Sequence, residues 1–517
     1  MLVKVNAAAV QGIDALPVMI EVSVEKGFST YIVGLPDTAV KESHQRIMSA
    51  IKLNGLTFPH KKIVINMSPA DLKKEGTAYD LPIAIGILAG DEQVKSEKLS
   101  RYMLMGELSL DGSVLPVKGI LPMAIKARED GLEAIFVPKA NVMEAAVVNR
   151  LKVYGVDNMM EGVGFLNGTH ELQPTEIDTR EMFRRQINHF DMDFSEVKGQ
   201  ENVKRAFEVA CAGGHNILLI GSPGSGKSMM AKRLPTILPP LTLQEALETT
   251  KIHSVAGKLE RGSMLLTQRP FRSPHHTISP VALVGGGSYP MPGEISLAHN
   301  GILFLDEFPE FSRQVLEVMR QPLEDRRITV SRAKYTVDYP AGFMLVASMN
   351  PCPCGYYNHP KKKCICPPGA VQRYLNRISG PLLDRIDMQV EVAPVEFDEI
   401  SSNIPTESSE TIRERVIKAR EIQTRRYAGI PNVHCNAQMT TRLLHEYAQP
   451  DEKGLERLKE AMTRLNMSAR AYDRILRVAR TIADLDGSEN VQMHHIQEAI
   501  SYRNLDRANW AGTYGIY

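Results

Sequence analysis

A glycine-rich segment of eight residues, GSPGSGKS at 221–228, limits the possible folds of this chain more than any other feature. The segment fits the pattern G-x-x-x-x-G-K-[ST] and follows an apolar run, NILLI at 216–220. Loops of this pattern connect a buried parallel strand to a helix, and their backbone N–H groups together with the positive helix end bind phosphate oxygens. The sequence therefore predicts an α/β region with a parallel sheet, and a helix that begins near Lys227.

Two polar side chains at the end of this loop suit a nucleoside triphosphate and its metal ion. Lys227 is predicted to contact the β- and γ-phosphates of ATP, and Ser228 to hold Mg²⁺ through its hydroxyl oxygen. A chance glycine-rich turn is a poor alternative, because a strand and a helix flank the loop. The predicted ATP-binding residues are Gly221, Ser222, Pro223, Gly224, Ser225, Gly226, Lys227 and Ser228.

A second apolar run, ILFLDEF at 302–308, carries two acids near its end. Asp306 is predicted to hold Mg²⁺ through water, and Glu307 to polarise the water that attacks the γ-phosphate. The alternative is an acidic helix cap at the end of a strand, which the phosphate-binding loop upstream disfavours. The two motifs together predict an ATP hydrolase.

A third apolar run, FMLVASMN at 343–350, also ends in a polar residue. In ATPases with an interposed third strand, an asparagine at this place positions the attacking water, and we assign that role to Asn350. The alternative is a turn-forming asparagine before Pro351.

Two arginines downstream are candidates for contact with the γ-phosphate. Arg385 lies in GPLLDRID at 380–387, and Arg470 lies in the first turn of a predicted helix, SARAYDRILR at 468–477. Each arginine is either a ligand of the γ-phosphate or an ordinary surface charge, which is the usual environment of arginine.

The order of these motifs resembles that of AAA+ ATPases. More narrowly, PGEISLAHNGILFLDE (292–307), NPCPCGYYNHPKKKCIC (350–366) and SGPLLDRIDM (379–388) resemble the YifB/ComM family of magnesium-chelatase-like AAA+ proteins. The resemblance covers essentially the whole chain. It implies a homo-hexameric ring that acts as a DNA helicase and promotes branch migration during natural transformation or recombination.

The resemblance also assigns roles to the arginines. Arg385 resembles the arginine finger that one subunit supplies to the ATP of its neighbour. Arg470 resembles the second sensor in a helical lid, and Arg474 takes that role if the register shifts by one turn. The rival interpretation is a chelatase-type ATPase subunit that remodels a protein partner instead of DNA. That subunit lacks the N-terminal region and the cysteine cluster described below.

Two segments are candidates for DNA contact. The segment 269–299 is too long and too rich in glycine and proline for a simple connector, and it carries Arg272, His275 and His276. Family resemblance places an insertion that faces the ring pore here. The alternative is a structural loop packed on the core.

The second candidate, RRITVSRAKYTVDYPAGF at 326–343, is predicted to form a hairpin with Arg332 and Lys334 near its tip. Basic tips around a six-fold pore would attract the phosphates of single-stranded or branched DNA. The alternative is an exposed hairpin with solubilising charges. Neither segment contains an obvious pattern for reading bases, so we expect little sequence specificity.

The N-terminal region resembles the proteolytic domain of Lon-type proteases over 106–141 and 74–88. A Ser–Lys dyad requires a hydroxyl nucleophile beside an amine base, but Ala78 and Leu121 stand at the two dyad positions. The nearest suitable side chains are displaced from those positions: Thr77 and Lys118. We therefore expect a non-catalytic Lon-protease-like (S5-like) α+β domain. An active protease is the alternative.

A cluster of cysteines follows Asn350. Four thiolates suit tetrahedral Zn²⁺, although the C-x-C pairs are tighter than the usual spacing. Three consecutive lysines, 361–363, would offset the negative charge of such a centre. A redox-sensitive dithiol pair and inert packing are the alternatives, and His359 is a substitute ligand. The predicted zinc ligands are Cys352, Cys354, Cys364 and Cys366, whereas Cys211 and Cys435 are isolated.

Composition and charge limit where in the cell this protein is expected to work. The net charge of +1 gives no global attraction for nucleic acid. The N-terminus lacks the pattern of a signal peptide, and the longest apolar run, LPIAIGILAG at 81–90, is too short to span a membrane. We therefore expect a cytoplasmic protein without membrane contact, in a compartment where disulfides rarely persist.

The 517 residues suggest roughly three or four domains. The predicted fold class is α/β multidomain, with a Lon-like N-terminal domain, a P-loop AAA+ core containing a parallel sheet, and a C-terminal helical lid. The predicted boundaries are 1–170 (Lon-like domain), 171–195 (linker), 196–395 (ATPase core with the cysteine insertion 352–366), 396–410 (linker) and 411–517 (helical lid).

Overall fold

Three regions follow one another along the chain: an N-terminal mixed sheet with helices, a central parallel sheet, and a C-terminal group of helices. The computed structural model describes residues 1–186, 190–260, 262–287, 290–332, 335–395, 406–465 and 467–503. Within these residues, no helix is long and apolar enough to cross a membrane. The prediction of an α/β chain with a parallel sheet and a helical C-terminal region is confirmed.

The N-terminal region contains a mixed sheet with the strand order β3-β4-β2-β1-β5-β8-β9 and a small hairpin, β6–β7. Its strands are β1 (Leu2–Gln11), β2 (Asp14–Glu25), β3 (Thr30–Val33), β4 (Lys62–Ser68), β5 (Tyr102–Leu104), β6 (Glu107–Leu108), β7 (Val114–Leu115), β8 (Ala134–Pro138) and β9 (Lys152–Val156). In β2, alternate residues from Val18 to Val24 are buried, which is the period-two pattern of a strand with one face on a core. The β6–β7 hairpin pairs Glu107 with Leu115 and Leu108 with Val114.

Helices cover this sheet. They are α1 (Thr38–Leu53), α2 (Asp80–Gly90), α3 (Ile120–Glu129), α4 (Val142–Ala146), α5 (Met159–Asn167) and α6 (Thr179–Gln186). Every residue of α2 is buried, because its sequence is apolar on all sides and the helix packs on β1 and β2. Helix α6 lies inside the predicted linker 171–195.

The central region is built on a parallel sheet with the strand order β11-β14-β17-β10-β18. The strands of the region are β10 (Ile217–Gly221), β11 (Phe271–Arg272), β12 (Gly285–Gly286), β13 (Met291–Pro292), β14 (Ile302–Leu305), β15 (Arg327–Arg332), β16 (Tyr335–Pro340), β17 (Met344–Met349) and β18 (Met388–Val392). The three apolar runs that precede the motifs form β10, β14 and β17, and all their residues are buried. Because the strands are parallel, their carboxyl ends meet at one edge of the sheet.

Helices of the central region are α7 (Glu201–Gly213), α8 (Lys227–Arg233), α9 (Leu243–Ala256), α10 (Pro280–Val284), α11 (Glu294–Leu297), α12 (Arg313–Val318), α13 (Arg320–Asp325), α14 (Ala370–Leu375) and α15 (Gly380–Leu383). The predicted start of a helix at Lys227 is confirmed by α8. The hairpin predicted at 326–343 is also confirmed, since β15 and β16 pair antiparallel from Arg327–Pro340 to Arg332–Tyr335.

The C-terminal helices are α16 (Ser409–Arg426), α17 (Thr441–Tyr447), α18 (Glu452–Leu465), α19 (Ala469–Leu485) and α20 (Met493–Ser501). Helices α16 and α19 pack on α7. Val416, Ile475 and Ile482 share one core with Phe207 and Val209 of α7. The central and C-terminal regions are therefore joined by continuous apolar packing.

The N-terminal region also packs on the central region. Gly119 donates its N–H to the carbonyl of Ser254 in α9 at 3.2 Å. The β1–β2 turn reaches the β15–β16 hairpin, where Ile13 packs against the core of the hairpin and a Cβ added at Gly12 would lie 2.9 Å from Val337 Cγ1. The domain boundaries remain predictions, and residues 396–405 of the second predicted linker lie outside the described residues.

A buried carboxylate, Asp387, links the central sheet to the C-terminal helices. Arg474 of α19 donates to its Oδ1 at 2.8 Å, and the backbone N–H of Asn216 donates to its Oδ2 at 3.1 Å. The Nδ1 atom of His215 lies 3.6 Å from the same Oδ2. Burial alone raises the pKa of Asp387, but Arg474 and His215 outweigh it and hold that pKa well below its usual range.

The substitution Asp387→Ala is expected to lower the free energy of unfolding by about 3–5 kcal/mol, because the arginine of a buried ion pair is left uncompensated. The matched control is Asp384→Ala, which loses the contact with the 67% exposed Arg470 and is expected to cost about 0–1 kcal/mol. Because the folded-state pKa of Asp387 is lowered, its stabilisation is complete above the unfolded pKa of about 3.9 and is lost as the pH falls through the folded value. Urea unfolding near pH 7 measures both variants, and equal changes would contradict the assignment.

Candidate active site

The phosphate-binding loop turns from β10 into α8, as the sequence predicts. Lys227 is the first residue of α8, and its Nζ donates to the carbonyls of Gly221 at 2.7 Å and Ser222 at 2.9 Å. Burial lowers the pKa of Lys227, whereas the Asp306 carboxylate acts in the opposite direction. The ammonium group therefore lies inside the loop, among backbone groups and close to the predicted phosphate position.

Ser228 and Asp306 meet at the edge of the sheet. The Ser228 hydroxyl donates to Asp306 Oδ2 at 2.6 Å, although the two residues follow different strands. The hydroxyl of Ser348, in β17, donates to the other carboxylate oxygen of Asp306. Mg²⁺ takes oxygen ligands from carboxylates, phosphates and water, so the oxygens of Ser228 and Asp306 fit the predicted magnesium site.

Glu307 follows Asp306 in a left-handed conformation, with a φ of 53°. Its side chain is 58% exposed, and its Oε2 lies 3.2 Å from Nδ1 of His276. His276 stacks against His275 with ring centroids 4.1 Å apart, and His275 Nδ1 lies 2.9 Å from the hydroxyl of Thr277. A residue of the 269–299 segment thus contacts the predicted catalytic glutamate.

Asn350 directly follows the third strand of the site, β17, and its side chain approaches the phosphate-binding loop. Its Oδ1 lies 3.4 Å from Nζ of Lys227. Lys227, Ser228, Asp306 and Asn350 are therefore brought together, as the sequence analysis predicts for a single ATP site.

The arginine candidates lie at a different place in the structure. Arg385 is 11% exposed, contacts the carboxylate of Glu324, and donates to the carbonyl of Pro381 at 2.5 Å. Arg470 donates to Asp384 at 3.1 Å, and Arg474 pairs with the buried Asp387. Among the described contacts, these arginines bind carboxylates and carbonyls of their own chain.

The structure describes Arg272 and Arg332 among the candidate DNA-contacting residues, but not Lys334. Arg272 lies in β11 and donates to both carboxylate oxygens of Glu294, at 2.7 and 2.8 Å. Arg332 is the last residue of β15. Lys334, two positions after Arg332 in the sequence, lies outside the described residues.

The four predicted zinc ligands form one cluster. Their Sγ atoms all lie within 4.8 Å of one another. The Sγ atom of Cys352 lies 3.3 Å from that of Cys354 and 3.7 Å from that of Cys364, and the Cys354–Cys364 distance is 3.5 Å. These distances are too long for a disulfide of about 2.05 Å. They are close to the spacing of about 3.8 Å between ligands in a tetrahedron with Zn–S bonds of about 2.3 Å.

The surroundings of the cluster shift the pKa values of its thiols in opposite directions. Burial raises the pKa of Cys352 to about 12. Burial acts in the same direction on Cys354, but backbone N–H groups of Ile365 and Tyr356 outweigh it and lower the pKa of Cys354 to about 6. His359 is not part of the cluster. Its Nδ1 accepts the backbone N–H groups of Lys361 and Lys362 at 3.0 Å.

The dyad positions of the Lon-like segment carry Ala78 and the buried Leu121 of α3. The displaced Thr77 donates its hydroxyl to Glu107. The side chain of Lys118 lies against Gly257 of the central region, where an added Cβ would be 2.6 Å from Lys118 Cε. The structure thus gives Thr77 and Lys118 different neighbours, in keeping with the expectation of a non-catalytic region.

Comparison with known proteins assigns the family. The family models that match are "Subunit ChlI of Mg-chelatase" over 20–141, "Magnesium chelatase, subunit ChlI" over 193–400, and "Magnesium chelatase, subunit ChlI C-terminal" over 406–503. "Uncharacterized protein YifB" of Escherichia coli (strain K12) is 44% identical over 509 residues, which cover 97% of each chain. "Competence protein ComM" of Haemophilus influenzae is 41% identical over 505 residues, again 97% of each chain.

This chain belongs to the YifB/ComM family of magnesium-chelatase-like proteins. The family resemblance predicted from the three motif segments is therefore confirmed. Part of this chain is also similar to Lon proteases. The "Lon protease" of Aster yellows witches'-broom phytoplasma is 29% identical over 163 residues, which are 29% of this chain and 20% of that protein.

Two features of this YifB/ComM site were missed by the sequence analysis. Ser348 orients Asp306, and the signal that could have identified it is a polar residue within a buried parallel strand. The sequence suggests His276 only as a DNA contact. Its pairing with Glu307 depends on how the 269–299 segment folds back on the sheet. Sequence spacing alone gives no signal for that path.

The substitution Ser348→Ala is expected to raise the Mg²⁺ concentration needed for half-maximal ATP hydrolysis. Groups that orient a metal ligand typically contribute about 10–100-fold to metal affinity or activity, and the Ser348 hydroxyl holds one oxygen of Asp306. A magnesium titration of ATPase activity measures the change. The control is Ser23→Ala, whose hydroxyl bonds to Glu25 on the N-terminal sheet. An unchanged magnesium dependence in Ser348→Ala would mean that Ser348 only fills space.

Proposed function

We propose that this chain is an Mg²⁺-dependent ATPase that works as a hexameric DNA motor and promotes branch migration. The observation that carries the ATPase proposal is the convergence of Lys227, Ser228, Asp306 and Asn350 at one edge of the parallel sheet. This arrangement matches the positions that phosphoryl-transfer enzymes use for triphosphate and metal.

Each residue of the proposed ATP site has a distinct task. The loop N–H groups and Lys227 would bind the phosphates, and Ser228 and Asp306 would hold Mg²⁺, the serine through its hydroxyl oxygen and the aspartate through water. Glu307 accepts a proton from the water that attacks the γ-phosphorus, and Asn350 holds that water in line. Water displaces ADP from the γ-phosphoryl group, so the products are ADP and inorganic phosphate.

The hexamer proposal depends on Arg385. Within its own chain, Arg385 is held by Glu324 and by the carbonyl of Pro381. Among the described contacts, none joins it to the phosphate-binding loop of the same chain. In a ring, it would leave Glu324 and enter the ATP site of the neighbouring subunit. The Arg470 in that neighbour's own helical lid would contact the same nucleotide from within the chain that binds it.

The DNA proposal is supported by two observations. The first is that the relative from Haemophilus influenzae carries the name "Competence protein ComM". The second is that the β15–β16 hairpin precedes β17, the strand directly before Asn350. A ring of such hairpins with Arg332 and Lys334 near their tips would attract DNA phosphates with little sequence preference. His275, His276 and Arg272 are secondary candidates, since Arg272 already binds Glu294.

A second candidate function is the remodelling of a protein partner by a chelatase-type ATPase. The observation that favours it is that all three matching family models are described by a magnesium chelatase subunit. One of them covers residues 20–141, which does not support the expectation that such a subunit lacks the N-terminal region. Stimulation of ATP hydrolysis by branched DNA supports the DNA motor. An ATPase that neither binds DNA nor responds to it would support the protein partner instead.

We further propose that Cys352, Cys354, Cys364 and Cys366 hold a structural Zn²⁺. Their sulfur–sulfur distances fit a tetrahedral ion better than a disulfide, and a cytoplasmic location would keep the thiols reduced. Metal analysis of protein purified without added metal is expected to find one zinc per chain. A zinc-free protein with full activity would favour a dithiol pair or plain packing.

Two substitutions separate hydrolysis from movement. Lys227→Ala is expected to lower ATP hydrolysis about 100-fold or more, because a charge that stabilises the transition state is lost. Arg332→Ala is expected to keep DNA-independent hydrolysis but to lose branch migration. The control, Arg457→Ala, removes an exposed arginine that pairs with Glu460 in α18. Phosphate release and a branch-migration assay on the same samples measure both effects, and branch migration at the wild-type rate by Arg332→Ala would exclude the hairpin.

Mixing inactive subunits tests the ring. Arg385→Ala and Lys227→Ala proteins are each expected to be inactive, but their mixture is expected to regain part of the ATPase activity. The reason is that a Lys227→Ala subunit still supplies Arg385 to a neighbour with an intact phosphate-binding loop. A mixture of Lys227→Ala with Glu307→Gln is the control, because those changes damage sites in the same way and give no complementation. If the first mixture is as inactive as its components, Arg385 does not act across subunits.

A further inference from the structure

The loop that carries the four cysteines, residues 351–368, lies directly on the phosphate-binding loop. Gly355 follows the second cysteine in a left-handed turn with a φ of 82°, and its N–H donates to the carbonyl of Cys352 at 2.9 Å. A Cβ added at Gly355 would lie 2.5 Å from Pro223 Cδ and 2.7 Å from Pro223 Cγ. The cysteine turn is therefore in such close contact with Pro223 that no side chain fits between them.

The same loop forms one wall of a cavity of about 720 Å³. Tyr357 and His359 of the loop line this cavity together with Val392 and Tyr502, and the cavity reaches Gly221 and Ser222 at the start of the phosphate-binding loop. A cavity of this size suits a small organic ligand. Its position beside the first residues of the phosphate-binding loop suits the base and ribose of a nucleotide whose phosphates are held by that loop.

The cysteine loop has little structure of its own to hold this wall in place. Residues 351–369, all of which the structure describes, form no helix or strand. Long loops without secondary structure need an additional constraint to keep one conformation. Some contacts within the loop are at the surface, such as Lys362 over the ring of Tyr356 at 4.7 Å, and Ile365 is 83% exposed, whereas Cys352 and Gly355 are buried. The four-cysteine cluster is the feature that ties both ends of the loop to one point.

We propose that a zinc ion in this cluster holds the cysteine loop as a wall of the base-binding cavity, so that zinc occupancy sets the affinity for adenine nucleotides. The proposal rests on the proposed ATPase function and deepens it. Zinc acts here through position alone: the ion fixes the cysteine turn on Pro223, and the turn fixes the residues that line the cavity.

The test compares the binding of ATP and of inorganic tripolyphosphate by the full-length chain, with zinc bound, after removal of zinc by a chelator, and after zinc is restored. Ordering two or three loop side chains costs about tenfold in affinity, so removal of zinc is expected to weaken ATP binding by about that factor. Restored zinc should recover it. Tripolyphosphate has no base, so its affinity should not change.

Two variants keep the test independent of misfolding of the cysteine loop. Gly355→Ala retains all four thiols but places a methyl group against Pro223, and it is expected to bind zinc normally and ATP about tenfold more weakly. The control is Gly369→Ala, since Gly369 has a φ of 73° but open space around its Cβ position. Gly369→Ala also places a side chain at a residue with a positive φ, but that side chain would contact nothing. Its ATP affinity is therefore expected to stay close to the wild-type value.

The outcomes distinguish the two proposals. Unchanged ATP affinity after zinc removal, or equal loss for ATP and tripolyphosphate, overturns the inference while leaving the ATPase proposal intact. Equal effects of Gly355→Ala and Gly369→Ala also overturn it. Zinc-loaded wild-type protein that binds no ATP overturns the proposed function and this inference with it.

Discussion

The hydrogen bond from Ser228 to Asp306, at 2.6 Å, is the contact on which the rest of the site depends. These residues follow β10 and β14, which are separated by β17 in the sheet. Ser348 of β17 holds the second oxygen of the same carboxylate. One carboxylate thus ties the ends of three strands together, and this is possible only in the observed parallel register. A shift of β17 by one residue would turn Ser348 to the opposite face of the sheet.

Segments outside the sheet converge on this edge. The segment 269–299 brings His276 to Glu307, and the cysteine loop brings Gly355 to Pro223. The hairpin β15–β16 is followed by β17, the strand that directly precedes Asn350. Each of these insertions therefore contacts the proposed ATP site or lies beside a strand that leads to it.

Much of this arrangement could be predicted from the sequence, because its signals are local. The apolar runs at β10, β14 and β17, each followed by a polar motif, specify a parallel sheet with a phosphate-binding edge. The close spacing of the cysteines likewise predicts their cluster. The Glu307–His276 pair and the contact of Gly355 with Pro223 could not be predicted. Both contacts depend on how irregular segments fold back on the sheet. The hydrophobic pattern of the sequence does not indicate where such segments run. The surroundings of Arg385 were hidden for the same reason, since Glu324 is distant in sequence and its role as a partner is set by tertiary packing.

The contact between the β1–β2 turn and the hairpin has a consequence for how this chain can be divided or recombined. Ile13 is part of the apolar core beneath β15 and β16, and Gly12 lies against Val337. A chain shortened to its nucleotide-binding region would leave that apolar surface open to water, where such patches promote association. An N-terminal region taken from a different protein would have to reproduce a small residue at Gly12 and an apolar one at Ile13. Any exchange of the first region therefore has to preserve this contact with the second region, although the two are distant in sequence.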